Sequence, residues 1–298
     1  MTYDPIWGPI IAAYLFLAGV GGGAFVTCAV IGAKHPHAQK MRRVGHYIAP
    51  IVVIIGLCLL MVDAKAGFHS PLRFALLLTN FGSVMTWGVV FLAVFTIVSL
   101  IIAIFDWIRK PYPTWLEIIG VIFGILVAIY TGCLLGVCRT FPLWNNALLP
   151  ILFLVSAIST GAAAVFLAGL IATPQEFDEC GYAKKLHYFL PLIELLLVAA
   201  LLFITASHSD AGYNSIMTMI AGTYALPFWI GFIAIGLVIP AVIETKLVFF
   251  SSTAFEESAS GHRFALAANV GVLIGGFLLR LFVILCALPV TLVTPMIF

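Results

Sequence analysis

Apolar runs of membrane-spanning length, separated by short polar stretches, fill this chain from one end to the other. Eight such runs occupy residues 10–33, 47–63, 83–105, 115–137, 148–172, 188–207, 226–249 and 264–288. A spanning helix needs roughly 20 apolar residues, so the pattern predicts an all-α integral membrane protein with eight transmembrane helices. Composition sharpens the reading: 63% of the 298 residues are hydrophobic, only 9% are charged, and the mean hydropathy is +1.18. A soluble domain has no core large enough to hide that much apolar surface. The first run lacks a basic leader and carries Asp4 ahead of it, so it reads as a retained span rather than a cleaved signal.

Charge sets the orientation. Lys34, Lys40, Arg42, Arg43, Arg109, Lys110, Lys184, Lys185, Lys246 and Arg263 fall around the connections after spans one, three, five and seven. The other connections hold only Lys65, Arg73 and Arg139. Basic loops stay cytoplasmic, which predicts that both termini face outward. The net charge of +2 follows from this asymmetry. With no basic stripe interleaved with exposed aromatics, nucleic-acid binding is discarded.

The second half of the chain resembles the first. Gly45-His46-Tyr47-x-x-Pro50 aligns with Leu186-His187-Tyr188-x-x-Pro191, Leu15-Phe16-Leu17 with Leu152-Phe153-Leu154, and Trp87 with Trp229. The expected architecture is two pseudo-repeated four-helix bundles, residues 1–140 and 141–298, with ligands at or near the interface between them. Small residues cluster at Gly19, Gly21, Gly22, Gly23 and Ala24, and again from Ser156 through Ser159, Thr160 and Gly161 to Ala164. Such faces let helix backbones touch in lipid.

Ionisable groups inside a membrane are costly and need a partner or a task. Asp63 ends the second span on the outer side, Arg280 lies mid-way along the eighth, and Glu194 lies in the inner part of the sixth. Tyr130 stands roughly 10 Å below the outer end of the fourth span, Tyr14 enters the first at comparable depth, and His69, Arg139, His208 and Asp210 line the same side. Two arrangements stay open: these groups converge on one pocket, or Asp63 pairs with Lys65 or Arg280 while Tyr130 satisfies a neighbouring carbonyl. A tyrosine, a carboxylate and a histidine at the lipid edge suit a quinone. Its carbonyls need donors, its redox change moves two protons, and its isoprenoid tail needs an apolar slot. Tyr130 and Asp63 are the expected catalytic pair. Glu194, Glu117 and Glu244, towards the cytoplasmic side, either contribute to an inner proton route or are simply interfacial or paired.

Several stretches together resemble the NrfD/PsrC family, the quinone-interacting membrane subunits of polysulfide-reductase-like and related molybdoenzyme complexes. The carriers are Tyr14-Leu15-Phe16-Leu17-Ala18-Gly19 with the glycines that follow, Met85-Thr86-Trp87-Gly88, Tyr130-Thr131-Gly132, the loop from Pro142-Leu143-Trp144-Asn145-Asn146 to Pro150, Ser159-Thr160-Gly161-Ala162, and Gly275-Gly276-Phe277-Leu278-Leu279-Arg280. The resemblance implies a quinone site near the outer face in which the helix 4 tyrosine, here Tyr130, contacts the quinone; Tyr14, Thr131, Gly132, Asp63, His208 and Arg280 are the other residues expected at that site, with menaquinone or ubiquinone bound as substrate. It also implies an iron–sulfur subunit docked on the periplasmic face, a molybdopterin catalytic subunit behind it, and residence in a bacterial or archaeal cytoplasmic membrane. Where some members carry a helix 1 histidine and an asparagine, this chain has Tyr14 and Ile11, so the second carbonyl's partner departs from that pattern. Six cysteines without a C-x-x-C ladder read as packing residues, and His46 and His187 are the one symmetric histidine pair. No haem or iron–sulfur cluster is expected in the chain. Quinol oxidation is preferred over quinone reduction. A secondary transporter or proton channel is the alternative, and a passive anchor is a third reading.

Overall fold

The computed structural model describes residues 7–63, 77–250 and 258–290. It is helical, with eight helices long and apolar enough to cross a membrane. These are α1 (Pro9–Lys34), α2 (Gln39–Asp63), α3 (Val84–Trp107), α4 (Thr114–Gly136), α5 (Leu148–Ala172), α7 (Gly181–His208), α9 (Pro227–Thr245) and α10 (Ala259–Leu285). Two short α-helices, α6 (Pro174–Glu179) and α8 (Asp210–Ile220), a 3-10 turn at Leu77–Thr79 and π-helical turns at Lys246–Phe250 are also described.

The eight expected spans are all present, with instructive differences at their ends. Helices α2 and α7 start well before the apolar runs, so His46 and His187 lie inside helices rather than at their starts. The early turns are polar, and hydropathy alone does not see a helix that continues past the hydrocarbon layer. Helix α8 falls between two apolar runs, where no span is expected. Its first turn is capped by Ser209, whose hydroxyl accepts from the Gly212 N–H at 3.1 Å. Helix α9 opens with π-helical turns over Pro227–Val238, whereas α3 is regular α-helix throughout.

Neighbour relations fall into two rings. α1 packs on α2, α2 on α3, α3 on α4 and α4 on α1; α5 packs on α7, α7 on α9, α9 on α10 and α10 on α5. The rings meet where α5 lies against α1 and α4, and where α10 lies against α1. At the centre of that seam α1 and α5 touch backbone to backbone. A Cβ on Gly23 would collide with the Ala157 carbonyl, and one on Gly161 with the Gly23 backbone. A second crossing brings Gly22 onto the carbonyl of Gly124 in α4. Lipid tails are as apolar as leucine, so association here rests on van der Waals contact, which close backbone approach maximises.

One end of the molecule is closed by the 140–147 loop. Trp144 donates from its indole to the Val283 carbonyl at 2.6 Å, stacks on Trp7 with ring centroids 5.3 Å apart, and packs on Phe141. The Asn145 amide donates to the Gly136 carbonyl at 2.6 Å, and the Asn146 side chain accepts from the Leu148 N–H at 3.0 Å. This loop therefore ties the end of α4, the start of α5, the end of α10 and the Trp7 segment together. The two ends of the described chain sit at the same end of the molecule. The basic residues gather at the opposite end, where the Met41 N–H donates to Glu176 at 2.9 Å and locks α6 against α2.

Gly23→Ala and Gly161→Ala should each lower the stability of the detergent-solubilised protein by about 1–3 kcal/mol, the usual cost of forcing extra atoms into a closed contact. Gly181→Ala, whose new Cβ meets nothing within 4 Å, should be neutral or slightly stabilising. Thermal unfolding of the three variants checks this, and equal midpoints would refute the seam.

Candidate functional site

Two phenols sit at the Trp144 end of the first ring. Tyr130 on α4 is 5% exposed and Tyr14 on α1 is 3% exposed. Each ring is accommodated by a glycine on the neighbouring helix. The Tyr130 ring occupies the space where a side chain on Gly88 of α3 would lie, and the Tyr14 ring borders Gly56 of α2. Phe91 meets Tyr130 edge-on, with centroids 6.5 Å apart. The two phenols are near enough to interact electrostatically. Neither takes a hydrogen bond from or gives one to the described residues, so the idea that Tyr130 satisfies a neighbouring carbonyl finds no partner among them.

The other expected members are distributed unevenly. Asp63, half-buried, closes α2 at this end beside residues 64–76, so a pairing with Lys65 and the position of His69 both lie outside the described residues. Thr131 turns its hydroxyl back to the Ala128 carbonyl at 2.8 Å, and Gly132 faces the Pro150 backbone of α5. Gly132 thus lies at the α4–α5 contact. His208 is exposed at the end of α7, whose principal neighbours are α5 and α8. It belongs to the other ring, as does the exposed Asp210.

Arg280 is fully buried and does not reach Asp63. Its Nη1 donates to the Ser156 hydroxyl at 2.9 Å and to the Gly276 carbonyl at 2.7 Å. The guanidinium lies over Phe153 and Phe16, 5.2 and 5.8 Å from their centroids. Nε and Nη2 have no partner among the described residues. Nη2 points at α1, 3.0 Å from where a Cβ on Gly19 would sit. Glu194 on α7, 2% exposed, is buried in the same ring, and its Oε1 has no hydrogen-bond partner among the described residues. A buried acid and a buried base thus lie in the interior of the second ring, and mutual compensation is what makes two such charges tolerable at this depth.

At the basic end each ring holds a histidine against a carboxylate. His46 Nδ1 lies 2.6 Å from Asp106, and His187 Nδ1 lies 2.9 Å from Glu244. His187 Nε2 lies 3.1 Å from the Ser159 carbonyl. The imidazoles stand against Phe25 and Phe166, at 5.2 and 5.3 Å between centroids, and Phe25 precedes His46 by the same interval that separates Phe166 from His187. Beside the second pair is a cavity of about 30 Å³, lined by His187, Glu244, Lys184 and Asn269. Glu244 Oε2 and Asn269 Oδ1, both buried, lack protein partners there among the described residues, and the volume suffices for a water. Glu117 does not join this group. It pairs with Arg42 at 2.6 Å in the other ring. Sequence reasoning marked His46 and His187 as a symmetric pair but missed their carboxylates, because Asp106 and Glu244 reach them only through tertiary packing. The cysteines are free, and burial pushes the Cys180 thiol up to about 11.

An eight-span helical membrane protein with phenols at one end and a buried acid–base pair within is the class these features define. The family model described as Polysulphide reductase, NrfD matches residues 1–291, and the chain belongs to that family. It is 31% identical to the membrane-family relative named for the polysulfide reductase of Wolinella succinogenes, over 81% of this chain and 84% of that protein. It is 26% identical to protein NrfD of Escherichia coli over 94% of both chains. A relative named for the selenate reductase of Mesobacillus selenatarsenatis is 24% identical, over 82% of this chain and 68% of its own length.

Arg280→Leu should cost about 3–5 kcal/mol, because it strands the Glu194 carboxylate in the interior. The double variant Arg280→Leu/Glu194→Leu should recover part of that loss. Unfolding midpoints of the two single variants and the double variant measure the coupling, and strictly additive losses would show that the two groups do not compensate one another.

Proposed function

We propose that this chain is the quinone-handling membrane subunit of a respiratory oxidoreductase, passing electrons between membrane quinol and an iron–sulfur partner that serves a molybdopterin catalytic subunit. The observation that carries the proposal is the Tyr130 phenol, seated against Gly88 at membrane depth with Tyr14 beside it and no hydrogen-bond partner among the described residues. Family membership supports it, as do relatives named for polysulfide and selenate reductases. Tyr130 and Tyr14 hold the quinone oxygens by donation and acceptance. On oxidation the quinol gives up two electrons to the iron–sulfur partner and two protons to the aqueous phase, with Asp63 exchanging protons at the rim of the site. His208 belongs to the partner-facing surface at the same end. The direction is quinol oxidation, and the quinone is menaquinone or ubiquinone.

The two helix rings are taken as pseudo-repeats, on the strength of their parallel neighbour order and the matched Phe25–His46 and Phe166–His187 contacts. The basic end is assigned to the cytoplasm of a bacterial or archaeal inner membrane by the positive-inside rule, which puts the termini and the partner subunits on the periplasmic side. In the second ring Glu244, His187, Glu194, Ser156 and Arg280 extend from the basic end towards α1, about 7.5 Å along the helix axis from Tyr14 at Gly19. This series is the inner proton route, without Glu117. Irregular π-helical turns in α9 have no counterpart in α3, which leaves the transporter alternative without the matched broken helices that it needs.

In the assembled complex in liposomes, Tyr130→Phe should lower quinol-dependent turnover about tenfold or more while assembly stays intact. Gly88→Ala, which pushes the phenol from its seat, should act in the same direction. Normal turnover in both would remove Tyr130 from the mechanism and leave the passive anchor. Solute or proton transport by the chain alone, independent of quinol, would favour the transporter.

A further inference from the structure

Where α2 begins and α3 turns into α4, the basic end opens into a polar cleft of about 430 Å³. Arg42, Arg43, Arg109 and Lys110 line it together with Asp106 and Glu117. Both carboxylates are already engaged, Glu117 by Arg42 at 2.6 Å and Asp106 by His46 at 2.6 Å. Arg43 reaches Asp106 only loosely, at 3.9 Å. Arg109 and Lys110 pair with no carboxylate among the described residues. The cleft therefore keeps an excess of positive charge with no internal use for it.

A second observation concerns how the cations are held. Arg109 has φ of 55°, and among the described residues it is the only non-glycine in the left-handed region. It sits just beyond α3, where its N–H bonds the Asp106 carbonyl at 3.2 Å and the Lys110 N–H bonds the Phe105 carbonyl at 3.0 Å. Glycine is the natural occupant of such a helix end. An arginine there is strained, and strain of this kind accompanies a side chain needed for binding more often than one that is idle. Tyr112 is also among the lining residues, and its buried hydroxyl has no partner among the described residues. Burial raises its ionisation above the ordinary phenol value, with Arg42 opposing, so it is a hydrogen-bond donor.

Apolar surface flanks the cleft. Trp107 and Trp115 are 79% and 60% exposed, and Ile104 and Ile118, exposed on the outward faces of α3 and α4, continue from them along the membrane. Exposed tryptophans mark the level of the headgroups, so the cleft lies at phosphate depth with a hydrocarbon-facing wall beneath it.

We propose that this cleft binds the phosphate headgroup of an anionic glycerophospholipid, with Arg43, Arg109, Lys110 and Tyr112 holding the phosphate and the acyl chains lying on the exposed α3–α4 face. Basic pockets between spanning helices at the cytoplasmic surface take such headgroups, and guanidinium groups match phosphate oxygens in a bidentate fork. A free phosphate ion shares the headgroup's charge but has no use for the tryptophan and isoleucine wall, and the lipid accounts for both.

The test uses the full chain in lipid-depleted detergent, titrated with phosphatidylglycerol or phosphatidylcholine and followed by native mass spectrometry. Wild type should retain phosphatidylglycerol at least tenfold more tightly than phosphatidylcholine. Arg109→Gly/Lys110→Gln should lose at least fivefold of that preference. Because glycine relieves the left-handed residue, Arg109→Gly alone should unfold at the same temperature as wild type or higher, which separates lost binding from lost folding. Lys185→Gln/Arg263→Gln, an equal charge change elsewhere at the same end, should keep the preference. Equal loss in both double variants, or equal retention of the two lipids by wild type, would overturn the site. Millimolar inorganic phosphate should not displace bound phosphatidylglycerol, and displacement would reassign the cleft to a soluble phosphate.

Discussion

Backbone contact between α1 and α5 is the constraint on which the rest of the molecule depends. Lipid provides no hydrophobic drive to bring two apolar helices together, so the two rings are joined by the intimacy of their surfaces. Gly23 against Ala157 and Gly161 against Gly23 set that distance. Every group that bridges the rings is then placed by it. Arg280 reaches across from α10 to the vicinity of Gly19 because α1 is close and bears no side chain there. Trp144 closes the same assembly from the end by bonding Val283 and stacking on Trp7.

Within that frame the polar groups follow a strict economy. A buried donor or acceptor in hydrocarbon must find a partner inside the protein. Most hydroxyls turn back onto their own helix, as Thr27, Thr96, Thr131 and Ser215 do. The exceptions are informative because they span helices: His46 with Asp106, His187 with Glu244, and Arg280 with Ser156. The first ring's basic end carries the Arg42–Glu117 pair and the Tyr112 ring beneath Arg42, and it keeps unpartnered atoms among the described residues, at His46 Nε2, Glu117 Oε1 and the Tyr112 hydroxyl. The second leaves a small cavity beside its histidine and unpartnered oxygens on Glu244 and Asn269.

The fold was legible in the sequence because each span must satisfy one dominant requirement, a run of apolar residues as long as the hydrocarbon layer. Helix ends were less legible. The polar first turns of α2 and α7 belong to the helices but lie beyond the layer, and α8 is a short capped helix that never needs to be uniformly apolar. At the site, Tyr130, Tyr14 and Arg280 stood out because a phenol or a guanidinium is expensive at depth. Their surroundings were hidden. That Gly88 makes room for Tyr130, that Ser156 accepts from Arg280, and that Asp106 answers His46 depend on contacts between helices far apart in sequence. Gly132 drew notice as a neighbour of Tyr130, and its approach to the Pro150 backbone of α5 was equally hidden, because it too depends on a contact between helices.

On the proposed reading the division of labour between the rings has a physical rationale. Quinone chemistry at the lipid edge needs donors that stay neutral while protons come and go, and phenols meet that need without bringing a permanent charge into hydrocarbon. A permanent charge is tolerable only where a counter-charge and a hydroxyl surround it, as at Arg280. Keeping the two kinds of group on different rings separates the neutral phenols from the buried acid and base. The one point of near contact is α1, which carries Tyr14 near one end and faces the unpartnered Arg280 nitrogens at Gly19. A change in charge around the phenols would therefore be felt first at Arg280, through a helix whose position is held by its glycine contacts with α5.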